Sequence, residues 1–188
     1  MAPSSLAAQA EREPERMVTG VSFRGNHALA GDTLAVSIFT SNSSALARFF
    51  LTRPLHFGRR RVFDEVEFRR DVVRLRLLYR QHGYFEARVD TTVRRTDNAV
   101  SVTFRIQEGA PVLVDSIAVT GADSIVAPGR LARSLPLGVG RPFDRYLFAA
   151  AADTLVTALR NRGYPFAAVY RSYSVDNTTR LARVGYDV

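Results

Sequence analysis

The sequence repeats itself. Residues 63–89 and 143–169 align at an offset of 80, with Phe63/Phe143, Asp64/Asp144, Phe68/Phe148, Leu75/Leu155, Arg80/Arg160, Gly83/Gly163, Tyr84/Tyr164, Ala87/Ala167 and Val89/Val169 identical. Upstream the offset becomes 96, where Val21-Ser22-Phe23-Arg24-Gly25 matches Ile117-Ala118-Val119-Thr120-Gly121. A chain that writes one pattern twice folds as two copies of one unit. The first copy is longer because of its connection at residues 41–57, SNSSALARFFLTRPLHF, whose apolar half either covers core or adds a short helix.

Each copy has the same element order. A first strand carries Val18, Val21 and Phe23, or Val112, Val114, Ile117 and Val119, and ends at Gly25 or Gly121. A short helix follows, expected over Thr33–Phe39 behind Asp32 as N-cap, and over Pro128–Leu135. The long helix then starts at Asp64, where Glu67 stands at capping-box spacing, or at Asp144. Phe68, Val72, Leu75 and Tyr79 recur at helical spacing, as do Phe148, Ala152, Leu155 and Leu159. Gly83 and Gly163 stand where a helix ends with positive φ. Two strands close each copy: Phe85–Arg95 and Val100–Glu108 around Asp97-Asn98, then Phe166–Val175 and Leu181–Val188 around Asn177-Thr178.

A hairpin alone cannot bury both its faces, so the helices must cover one side of a three-stranded sheet. The expected fold class is α+β: two tandem β-α-α-β-β domains, at 17–110 and 111–188, behind a polar, disordered lead-in at 1–16. With 46% hydrophobic and 23% charged residues the chain is too apolar to be disordered. No apolar run reaches the ~20 residues of a membrane-spanning helix.

These residues resemble the POTRA domain, the periplasmic module found in tandem in BamA- and TamA-type outer-membrane assembly factors and singly in FtsQ-type division proteins. The marks are Phe23-Arg24-Gly25-Asn26, Tyr79-Arg80-Gln81-His82-Gly83-Tyr84 and Val102-Thr103-Phe104-Arg105-Ile106-Gln107-Glu108-Gly109. Val119-Thr120-Gly121 and Arg160-Asn161-Arg162-Gly163-Tyr164 repeat them. Ala122, in place of Asn after Gly121, and Pro165 depart from the pattern. The resemblance implies a periplasmic location, with tethering to the outer membrane through a C-terminal β-barrel of a longer parent chain. It also implies partners: unfolded outer-membrane protein clients or periplasmic accessory proteins.

Catalytic chemistry is not expected. Cys is absent, and His27, His56 and His82 have no metal-ligand spacing. No nucleophile elbow or phosphate loop occurs. Neither a metal nor a cofactor is called for. All 26 basic residues are Arg and the net charge is +8, which permits peripheral contact with an anionic membrane. The KH domain shares this element order, but Gly138-Val139-Gly140 is not its GXXG loop, so specific nucleic-acid binding is not expected.

What a module of this design offers is an edge. If the third strand lies between the first and second, the second strand presents unpaired backbone groups to an extended peptide. The candidate peptide-binding residues are Phe85, Ala87, Arg88, Val89 and Val93 in the first unit, and Phe166, Ala168, Val169, Tyr170 and Tyr173 in the second. The neighbouring short helix is expected to form the opposite wall. A structural spacer with little client affinity is the alternative role. Tyr84 and Tyr164 are expected to pack over the core at the strand entrance, with groove lining as the other possibility.

Overall fold

A computed structural model describes residues 16–40, 62–122 and 132–188. The first unit comprises β1 (Met17–Arg24), α1 (Gly31–Ser37), α2 (Glu65–Gln81), β2 (Arg88–Arg95) and β3 (Ala99–Gln107). The second comprises β4 (Leu113–Thr120), α3 (Arg145–Arg160), β5 (Tyr170–Asp176) and β6 (Leu181–Asp187). Residues 1–15 of the lead-in, the 41–57 connection and the first half, 128–131, of the short helix expected at Pro128–Leu135 lie outside the described residues.

Both sheets have the last strand in the middle, in the orders β1-β3-β2 and β4-β6-β5. In each, the first strand runs parallel to the central one and the second antiparallel. A parallel neighbour needs a crossover, which the helices supply. The central strands alternate as a half-buried strand should. Val100, Val102, Phe104 and Ile106 point into the first core, and Ala182, Val184 and Tyr186 into the second.

The long helices cover these faces. Asp64 accepts from the Val66 and Glu67 amides at 2.8 and 3.1 Å, and Asp144 from those of Tyr146 and Leu147 at 2.7 and 3.0 Å. The capping box itself does not close, because the Glu67 carboxylate turns along the helix to Arg70 and Arg74. Phe68, Leu75 and Tyr79 are buried against the first sheet with Leu34 of α1. Phe148, Ala152 and Leu155 do the same in the second unit, and Leu159 is buried near the helix end. Each large apolar side chain so buried contributes roughly 1.5–3 kcal/mol.

Several boundaries differ from expectation. α1 starts at Gly31, so Asp32 sits in its first turn, and Ala30 at the N-cap position makes no side-chain cap. β2 and β5 begin at Arg88 and Tyr170 rather than at Phe85 and Phe166. After each helix the chain must first reverse, and it does so in turns closed by Ala87 N–H to Tyr84 O and Ala167 N–H to Tyr164 O. The second hairpin turn is also longer than Asn177-Thr178. Asp176 accepts from the Thr178 and Thr179 amides, and Arg180 takes φ 54° before β6.

Three tyrosines report on the cores. Burial pushes the hydroxyl pKa of Tyr79 up, aided by its hydrogen bond to Glu108. Burial raises Tyr84 and Tyr186 likewise, with Glu108 adding to Tyr84 and Arg171 opposing at Tyr186. A raised folded pKa means stability that is complete below the unfolded value of about 10 and lost as pH rises past it. In an ultraviolet titration, these three of the seven tyrosines are expected to ionise above the ordinary midpoint, with stability falling over the same alkaline range.

Candidate functional site

β2 and β5 are outer strands, each hydrogen-bonded to a central strand on one side. Their surfaces differ. β2 reads RVDTTVRR, with Arg88, Asp90, Arg94 and Arg95 exposed. Arg95 is held at 2.9 Å by Glu65 and lies 5.8 Å from the Phe63 ring centre. Such charges protect an edge from promiscuous pairing. β5 reads YRSYSVD, with its first five residues exposed.

The ten candidate residues therefore part company. Phe85 lies before β2 and packs on the second unit's core, while Ala87 and Val93 pack on the first core and Val89 is buried. Only Arg88 of that group is exposed. In the second unit, Val169 packs on the core, and Tyr173 sets its ring 4.9 Å from Phe143 and 5.4 Å from Phe148. Phe166, Ala168 and Tyr170 are brought together in a cleft of about 510 Å³, also lined by Leu159, Tyr164 and Val188. Phe166 is 96% and Tyr170 73% exposed. Tyr84 packs on the first core edge-on to Tyr79, as expected, whereas Tyr164 stays 47% exposed. The helix packed on β2 is the long α2, not the short α1. α1 instead seats on α2, where Asp71 binds the amides that follow it.

The junction between units is a second constructed feature. Val112 N–H donates to Gly83 O at 2.8 Å. His82 Nδ1 lies 2.6 Å from Asp144 Oδ2, and the Tyr146 hydroxyl donates to Gln81 Oε1 at 2.6 Å beneath the His82 ring. Asp144 thus caps α3 with one oxygen and holds the preceding unit with the other. Reading along the chain gave Asp144 only a capping role and His82 no partner, since nothing local in the sequence pairs position 82 with 144.

The repeat supplies an internal control on this junction. Gly83 and Gly163 have φ of +92° and +94°. A Cβ at Gly83 would lie 2.9 Å from Phe143 O, but one at Gly163 would meet nothing within 4 Å. Gly163→Ala is expected to cost only the left-handed penalty of about 1–2 kcal/mol. Gly83→Ala is expected to cost more and to shift the amides of Phe143–Tyr146, as read by denaturant melts and heteronuclear spectra.

A family model described as "POTRA: Surface antigen variable number repeat" matches residues 17–109 and again residues 112–188. The chain belongs to the POTRA family. Its POTRA units are similar to several solved structures. One is the BamA POTRA3-5 fragment of Haemophilus influenzae, at 20% identity and TM-score 0.44, covering 92% of this chain and 65% of that one. Another is the POTRA1-2 fragment of Omp85 from Anabaena, at 17% identity and TM-score 0.40, covering 94% and 97%. CdiB from Escherichia coli is matched at 14% identity and TM-score 0.41, over 100% of this chain and 29% of that one. The chain therefore spans under two thirds of the Haemophilus influenzae fragment and under a third of CdiB. No curated protein matches the sequence. Among the described residues, no helix is long and apolar enough to cross a membrane, and no group of three or more His, Cys, Asp or Glu residues is placed to hold a metal.

Proposed function

We propose that these two POTRA units form a periplasmic protein-binding module of an outer-membrane assembly or secretion factor, and that they take extended segments by β-strand addition. The observation that carries this reading is the outer position of β5, with exposed residues running from Tyr170 to Ser174 and an apolar cleft at its start. An added strand draws affinity from backbone hydrogen bonds, which are indifferent to sequence, and selectivity from alternate side chains. Strands of outer-membrane barrels alternate apolar and polar residues, so the apolar set would face Phe166 and Tyr170. The clients would be unfolded barrel precursors or accessory proteins. The parent factor would anchor the module through its barrel, and the +8 charge would favour anionic headgroups nearby.

β5 is the preferred edge over β2. Titrating the chain with a synthetic peptide copied from an outer-membrane β-strand should shift amides from Phe166 to Asp176 and leave Arg88–Arg95 nearly still. No shift at millimolar peptide would sink the reading. A jointed-spacer role would then take its place, for which the His82–Asp144 and Tyr146–Gln81 contacts across the junction speak.

A further inference from the structure

Each sheet has a face that its helix layer leaves open, and the two open faces differ. In the first unit, Arg24 of β1 stands opposite Arg105 of β3, and Arg94 of β2 stands opposite Ser101. Between these two rows, Ser22, Thr103 and Thr92 lie side by side across the three strands, with the Ser22 and Thr103 hydroxyls 2.9 Å apart. Together these residues line a trough of about 330 Å³. Arg24, Arg94 and Arg105 are exposed, and among the described residues no carboxylate forms an ion pair with any of them. Asp90 stands opposite Arg105 but does not line the trough. By strand register, the second unit has Thr120 in place of Arg24, Asp187 in place of Arg105 and Ser174 in place of Arg94. There Thr120 donates to Asp187, and Arg183 is held by Asp115 at 3.4 Å. The fold therefore does not require cations on this face. Like charges directly opposite one another destabilise a sheet, so Arg24 beside Arg105 is a cost that a bound anion would remove.

We infer that the open face of the first sheet docks an acidic, extended segment of a partner protein, with carboxylates at both arginine rows. Charge complementarity selects an anion, and the spacing selects an extended segment. Arg105 and Ser101 are four residues apart on β3, which sets the rows about 13 Å from each other. A chain laid along the strands has the same rise per residue, so acidic residues four positions apart point the same way and reach both rows. Each guanidinium offers a planar fork to a carboxylate, and the hydroxyls between the rows serve the polar residues in between. A lipid surface suits the face less well. None of the exposed large apolar side chains lies in the trough, so nothing there would insert below the headgroups. A single phosphate would leave one row unused. The inference does not depend on strand addition at β5.

The test titrates the 188-residue chain with a peptide carrying Glu at two positions four apart in a Ser/Thr background. Amide shifts are expected at Gly20–Arg24, Thr92–Arg94 and Ser101–Arg105, and they should fade as salt is raised. Arg24→Thr combined with Arg94→Ser introduces the residues that the second unit carries at these places. This exposed double substitution should leave the melting temperature in place and weaken binding by roughly tenfold. The same peptide with Gln for Glu should give no shifts. Silence at millimolar Glu peptide, or equal shifts with the Gln peptide, would overturn the inference. So would phosphatidylglycerol vesicles or inorganic phosphate shifting these amides where the peptide does not, since the occupant would then be a phosphate group. Shifts at Phe166–Asp176 instead would place the peptide on β5, overturning this inference and leaving the strand-addition reading standing.

Discussion

Asp71→Ala is expected to melt the first POTRA unit while the second stays folded. Asp71 is fully buried on α2. Its two oxygens accept from consecutive amides, Phe39 at 2.8 Å and Thr40 at 2.7 Å, and Oδ1 also accepts from Arg74 at 2.6 Å. The carboxylate therefore fastens the end of α1 to the long helix. Alanine leaves a buried Thr40 amide without its acceptor, and removing one member of a buried charged network costs about 3–5 kcal/mol. At ~4–8 °C per kcal/mol for a unit of this size, the first unit's melting point should fall by more than ~10 °C. Asp71→Asn should cost nearly as much, because one of its two positions now donates towards groups that themselves donate. Calorimetry should show one transition moved and the other unchanged. A uniform small shift would mean that solvent reaches the Asp71 site.

Glu108→Ala carries the second large effect. Glu108 follows β3 at the start of the linker, and its Oε1 accepts from His27 N–H and Ala28 N–H at 2.8 Å and from the Tyr79 hydroxyl at 3.0 Å. The two amides are exposed and can turn to water, but Tyr79 is buried. An abandoned buried donor costs about 1–3 kcal/mol, and hydrogen bonds to a charged group are worth ~1.5–3 kcal/mol each. A loss of about 2–4 kcal/mol is expected in denaturant melts. Since one oxygen takes all three donors, Glu108→Gln can keep the geometry and should cost about 1 kcal/mol. Equal losses for both variants would show that the charge, not the acceptor geometry, is what matters.

What the sequence made legible was local. The offset of 80, the capping aspartates and the glycines after each long helix report backbone constraints that a few neighbouring residues determine alone. They were enough for the element order, the two-layer architecture and the family. The central placement of β3 and β6 was only a condition in the sequence reading, because covering one face does not set strand order, and the strand pairing supplies it. The strand starts were missed because Phe85 and Phe166 look extended by composition, while the helix-ending glycine dictates a turn first. Asp71, Glu108 and the His82–Asp144 pair were illegible for a different reason. Their partners lie 31 or 32, 29 to 81 and 62 residues away, and no periodicity encodes such distances. Among the ten candidate edge residues, composition did not separate those that face out from those packed beneath, as Phe166 and Phe85 show.

The central claim is that β5 accepts a strand, and amide hydrogen exchange tests it most directly. With the outer-membrane strand peptide at saturation, the β5 amides that do not pair with β6 should slow by at least ~10-fold, which corresponds to about 1.4 kcal/mol of added protection. The same peptide N-methylated at alternate residues should give no slowing, because its backbone cannot complete the ladder. Binding that leaves β5 exchange unchanged, or slowing that survives N-methylation, would contradict strand addition.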